Sequence, residues 1–163
     1  HSFGNMEKRE DIKGSCFVKE AVDRLQREGY AVELMFFHNI DHKDLKYYQA
    51  QADIVVDQLF VGWHGSTGVE CLALGLPVIT YINPSVENYV KSQLKREIPF
   101  VSAMPQNIYE VLKEMINDIK GCKNLGIQAG KYAQKYHDYK VVAKRLSEIY
   151  EKLNMEGNAD EYV

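Results

Sequence analysis

Cysteine is scarce in this sequence: Cys16, Cys71 and Cys122 are the only three in 163 residues, odd in number and widely spaced. Such a set builds neither a disulfide framework nor a thiolate metal cluster, and free thiols suit a reducing compartment, so a cytoplasmic setting is expected. No run approaches the roughly 20 apolar residues that span a bilayer, and no signal-peptide pattern is present. An excess of one charge is missing too: 20 basic and 23 acidic side chains are mixed along the chain, for a net charge of -3. That balance offers no basic face to nucleic acid and no polybasic run to a lipid surface, which leaves small molecules or proteins as partners.

Several catalytic signatures are absent as well. The five histidines do not form a ligand set: His38 and His42 share one turn, His64 stands alone, and His1 and His137 lie far off, so polar-loop or structural roles fit them better than a metal. No serine or cysteine sits in a nucleophile elbow, and Cys71 falls within an expected helix as a core residue. Neither a Walker loop nor the dinucleotide fingerprint occurs. Tyr47, Tyr48 and Trp63 read as packing residues, with Trp63 a candidate pocket wall.

What is present is alternation. With 45% hydrophobic and 26% charged residues the chain can bury one full core. Phe17, Val18, Ala21, Val22 and Leu25 make one apolar face, which predicts a helix over Lys13–Glu28 closed by Gly29. Short apolar runs predict buried strands at Ala31–Phe37, Ala52–Gln58 and Pro77–Ile82, with a small one at Phe100–Ala103. Helices are expected over Lys43–Gln51, Thr67–Leu74 and Ser85–Glu97, and over Gln106–Leu153 apart from breaks near Gly121 and His137. Strand and helix alternating through short links argue for an α/β fold, a Rossmann-like three-layer domain with a parallel sheet. The polar opening HSFGNMEKRED leads into a helix with no strand before it, so a first strand is expected to be missing and the chain to be a piece of a longer protein. Residues 1–154 are expected to form the domain and 155–163 a frayed tail.

In an open parallel sheet, ligands bind beyond the carboxyl ends of the strands. Four segments fall there: the loop ending Lys13-Gly14-Ser15, the turn His38–Asp41, the loop GWHGSTG and the turn Ile82-Asn83-Pro84. Gly62, Gly65 and Gly68 let the backbone approach a ligand, and a helix starting at Ser66-Thr67-Gly68 points unpaired N–H groups outward, a geometry that favours phosphate. Glu70, in its first turn, has two acceptor oxygens that match a ribose diol. The same residues admit a plainer reading, because Thr67-Gly68-Val69-Glu70 is also a capping box. Lys13, at a helix start where a cation opposes the dipole, is either a diphosphate contact or one solvated lysine in a charged loop.

Taken in order, IKGS at Ile12–Ser15, FFHNIDHKDLKYYQAQADIVVDQ, GSTGVECLALGLPVITYI and the late HDYKVVAKRLSEIY resemble the carboxyl-terminal half of retaining glycosyltransferases of the GT-B fold, the group related to glycogen and sucrose synthases and lipopolysaccharide mannosyltransferases. The resemblance covers nearly the whole chain. It implies the donor-binding half of an enzyme moving a sugar from a nucleoside diphosphate sugar to an acceptor hydroxyl in polysaccharide or glycoconjugate synthesis, with an amino-terminal acceptor domain elsewhere in the protein. By the same resemblance Glu70 would grip the ribose, Lys13 would face the diphosphate with Arg9 as a looser basic partner, and Ile40 would border the base. The backbone at Gly65, Ser66 and Thr67 would cradle phosphate or sugar. Lys13 and Glu70 would be the catalytic pair, and no metal or cofactor beyond the nucleotide sugar is implied. Full-length relatives imply a possible peripheral membrane association. One departure stands out: the family pairs Glu70 with a second glutamate separated by seven residues, and that place is Gly62. A nucleotide-sugar 2-epimerase half and a non-catalytic flavodoxin-like module are the alternative readings.

Overall fold

The computed structural model describes residues 11, 13–37 and 40–155. Helix α1 spans Ser15–Arg27, α2 His42–Gln49, α3 Ser66–Ala73, α4 Pro84–Gln93, α5 Ile108–Asn117, α6 Ile119–Tyr136 and α7 Tyr139–Met155. Strands β1 Val55–Val56, β2 Val78–Ile79 and β3 Phe100–Val101 pair in parallel in the order β1-β2-β3. Pairing continues past these cores, since Val55 donates to Pro77, Asp57 to Ile79 and Tyr81 to Gln58, the last at 2.8 Å. The result is the α/β architecture expected, a small open parallel sheet between helices.

Alternation along the strands explains the two faces. Val56 and Ile79 pack with Val18, Leu25, Ile108 and Leu112 of α1 and α5, while Val55 and Val78 pack with Cys71 and Leu72 of α3 and Ala129 and Ala133 of α6. The cores of β1 and β2 are buried on both sides, which is why the sequence shows apolar runs there rather than alternation, whereas β3 is only partly buried. Within one layer α3 and α6 close tightly: Gly75 (φ 76°) follows the Leu74 C-cap of α3, and Gly126 of α6 lies so near that a Cβ there would strike the Gly75 carbonyl.

Three expectations need correction. Ala31–Phe37 is not a strand of the sheet; only an isolated bridge at Phe37 is formed, and Phe36 is 41% exposed. Its composition suits a ladder, but a cavity separates it from β1. The break expected near Gly121 lies at Asp118, whose carboxylate caps α6 by accepting the Gly121 N–H at 2.9 Å. Helix α4 stops at Gln93, short of Glu97, because Lys95 takes a left-handed conformation (φ 51°). Among the described residues, no helix is long and apolar enough to cross a membrane.

Candidate functional site at the strand ends

The site is built around a buried carboxylate. Asp57 follows the last β1 residue, has no exposed surface, and accepts the Gly65 N–H at 2.6 Å. Its other oxygen faces the Lys13 ammonium at 3.4 Å. Lys13 is in turn fixed by its own backbone, since its carbonyl accepts the Leu59 N–H at 3.1 Å. One side chain therefore joins the entry to α1, the end of β1 and the start of α3. Burying an ionised carboxylate is costly unless it is paired and hydrogen-bonded, and here it is both.

Glycines make this approach possible. Gly65 is the N-cap of α3, and no side chain caps that helix. A Cβ on Gly68 would lie 2.9 Å from the Asp57 carboxylate, so the helix start can reach the acid only without side chains there. Asp57 thus already acts as an anion at the α3 N-terminus, where the helix dipole favours one. Of the expected phosphate cradle, the Gly65 N–H is engaged inside the protein, while Ser66 and Thr67 open the helix itself.

Because the N-cap is Gly65, the capping box read from Thr67 to Glu70 does not form. Glu70 instead leaves its helix and meets His42 of α2, with Nε2 to Oε1 at 3.2 Å; the Glu70 side chain is 38% exposed. Its carboxylate is therefore held at the rim and open to solvent. Ile40 precedes Asp41, the α2 N-cap whose side chain accepts the Lys43 N–H. Arg9, like His38, lies outside the described residues.

Gly62, where the sequence resemblance would lead one to look for a second glutamate, has a backbone that suits glycine. It adopts φ 84°, its carbonyl accepts the Asn83 N–H at 2.8 Å, and a Cβ would press on Asn83 at 3.2 Å. A glutamate there would be strained.

An aromatic wall stands beside the loop. The His64 ring stacks on Phe100 with centroids 4.9 Å apart, while Trp63 lies 4.5 Å from it on the same measure and His137 6.0 Å. Burial pushes the His64 pKa below its ordinary value, against the opposing pull of the Gly65 carbonyl and Asp57. His137 is lowered for the same reason, and by the positive charge of His64, Arg96 and Arg145. Cys71 is wholly enclosed, and burial with Asp57 nearby pushes its thiol up to about 12, so it is an inert core thiol at neutral pH.

Sequence reasoning missed Asp57 and the His42 contact. The signal for Asp57 was legible, an acid closing the apolar run Ile54-Val55-Val56 just before a glycine loop. No sequence feature pairs His42 with Glu70, which are 28 residues apart.

No protein-family model matches this chain, and no curated protein matches it either. Among solved structures the chain is similar to a sucrose-phosphate synthase from Thermosynechococcus elongatus, with a TM-score of 0.61 and 19% identity. That match covers 96% of this chain and 38% of the synthase, so the likeness is one of fold and the chain spans well under half the length of that relative.

Proposed function

We propose that this domain binds the donor of a retaining glycosyltransferase, a nucleoside diphosphate sugar, and that a further domain supplies the acceptor. The observation that carries this reading is the Glu70 carboxylate, standing off its own helix and open at the strand-end rim. Two acceptor oxygens there suit the two hydroxyls of a ribose. Lys13, 24% exposed beside Asp57, lies at a neighbouring strand end and would turn its ammonium to the diphosphate, where positive charge stabilises the departing nucleotide. Ser66 and Thr67 would add helix N–H groups, Ile40 would border the base, and Arg9 would be a second cation. Charge stabilisation in this scheme comes from the protein, so it uses no metal.

The fold likeness to a sucrose-phosphate synthase supports the same reading. So does α7, on which Val142, Leu146, Ile149 and Leu153 form an exposed apolar stripe with the spacing of one helix face, suited to a second domain. Closure of two halves over the donor would exclude water from the reaction, and the present domain alone would bind nucleotide weakly and turn over little.

Calorimetric titration with UDP, GDP and ADP tests the reading. At least one should bind, and Glu70→Ala should weaken it roughly tenfold or more, the usual loss for hydrogen bonds to a charged group. Equal binding by the wild type and Glu70→Ala would remove Glu70 from the site.

A further inference from the structure

A cluster of like charge stands beside the aromatic wall. The Tyr136 ring, at the end of α6, carries three cations: the Arg96 guanidinium 4.4 Å from its centroid, the Lys135 ammonium at 5.0 Å and the Arg145 guanidinium of α7 at 5.6 Å. His137 follows directly in the chain, its ring 5.6 Å from that of Tyr132 and 6.0 Å from that of His64. These groups come from four places in the sequence: the turn after α4, the end of α6, α7 and the glycine loop. Arg96 and Arg145 are both partly buried, so the fold gathers their charge rather than leaving it in solvent.

Carboxylates lie near in sequence but turn elsewhere. Glu97 reaches Lys91 at 3.7 Å, Glu148 reaches Lys144 at 3.9 Å, and Asp138 accepts the Lys140 N–H at 2.8 Å. Among the described residues neither Arg96 nor Arg145 is paired with a carboxylate, whereas Lys13, Arg24, Lys91 and Lys113 are. The charged groups that act on His137, namely His64, Arg96 and Arg145, are all positive and lower its pKa. In a chain of net charge -3 this is a concentration of one sign that an anion would relieve. The backbone is strained at the same place: Lys95, which is not a glycine, takes φ 51° to turn the chain out of α4, and the Arg96 N–H then bonds the Val90 carbonyl at 3.3 Å.

The chemistry of the cluster selects its ligand. A guanidinium lying on a ring leaves its N–H edge free, and that planar fork matches phosphate or carboxylate oxygens two at a time. One fork satisfies a carboxylate. A phosphomonoester has three free oxygens and about two negative charges, which suits two forks and a neighbouring imidazole. We propose that Arg96, Arg145 and His137 bind the terminal phosphate of a phosphomonoester, at a site that shares no residue with the donor contacts Glu70 and Lys13. The rings of His137 and His64 lead from this point to the glycine loop, so the body of the bound molecule would lie along the aromatic wall.

Methyl phosphate is the probe, titrated against the 15N-labelled protein at about pH 8, where a monoester is a dianion. The side-chain Nε–H signals of Arg96 and Arg145 should shift together and saturate. The His137 pKa, followed by its ring C–H signal, should rise when the probe is bound, because the anion offsets its positive neighbours. Arg96→Ala and Arg145→Ala, each checked for a native spectrum, should weaken binding roughly tenfold. Arg145→Lys restores the charge without the fork and should recover only part of the loss. Lys123→Ala removes the same charge from an exposed position elsewhere on α6 and should change nothing. Dimethyl phosphate, a diester with a single charge, should bind much more weakly than the monoester. Unmoved arginine signals, equal binding of the two esters, or an Arg145→Lys variant that binds as the wild type does would overturn the proposal. Calorimetry with UDP, GDP and ADP separates this site from the donor site: Arg145→Ala should leave nucleotide binding unchanged, and Glu70→Ala should leave the methyl phosphate response unchanged. A loss of nucleotide binding in Arg145→Ala equal to its loss of methyl phosphate would place the arginines in the donor site, also against the proposal.

Discussion

Asp57 and Gly65 are joined by a 2.6 Å hydrogen bond from the glycine N–H to a carboxylate with no exposed surface. The contact turns the end of a strand into the anchor of the next helix, and its second oxygen holds Lys13.

Replacing that acid separates its structural and electrostatic roles. Asp57→Ala leaves the Gly65 N–H and the Lys13 ammonium without their partner, and should cost about 2–4 kcal/mol in urea unfolding. Asp57→Asn keeps one acceptor oxygen and should cost less. If the two variants unfold alike, the charge rather than the hydrogen bond to Gly65 does the anchoring.

Close packing of α3 against α6 makes a second prediction. A Cβ on Gly126 would strike the Gly75 carbonyl, which is backbone and cannot swing aside. Gly126→Ala should lower stability by about 1–3 kcal/mol although alanine favours helices. Gly130→Ala, whose Cβ would meet Gly75 at an ordinary 3.7 Å, should be near neutral or stabilising on the same thermal melt.

Proton linkage at the aromatic wall gives a third. His64 and His137 are both lowered from 6.5, chiefly by burial. The unfolded chain therefore binds protons more readily, and these groups contribute stability that is complete above about pH 6.5 and is lost as the pH falls through their folded values. Unfolding free energy should drop for the wild type as the pH falls below about 6.5. His64→Phe keeps a ring on Phe100 and should flatten that slope; an unchanged slope would place the linkage elsewhere.

How far the sequence could be read follows from what each signal depends on. Helix α1 was legible because its one-sided apolar pattern and its glycine stop are local, and the structure gives Ser15–Arg27 with a left-handed Gly29. The runs Ala52–Gln58 and Pro77–Ile82 were legible because both their faces are covered, so composition alone marks them. Ala31–Phe37 has the same composition, but a strand exists only through its neighbours, and pairing is not a local property. At the site, the glycine spacing and Glu70 were visible, whereas the choice between a capping box and a carboxylate turned to His42 at the rim depended on the helix starting at Ser66 with Gly65 before it. The junction of Lys13, Asp57 and Gly65 brings together residues up to 44 positions apart in a single ion pair, and no spacing rule reaches that far.

The central claim, that Glu70 grips a ribose diol, is tested most directly by comparing ribonucleoside diphosphates with their 2′,3′-dideoxy counterparts in binding to wild type and Glu70→Ala. The wild type should lose roughly tenfold in affinity when the diol is removed, and Glu70→Ala should bind both forms equally weakly. Wild-type protein that binds nucleotide without regard to the diol, or a Glu70→Ala variant that discriminates as the wild type does, would contradict it.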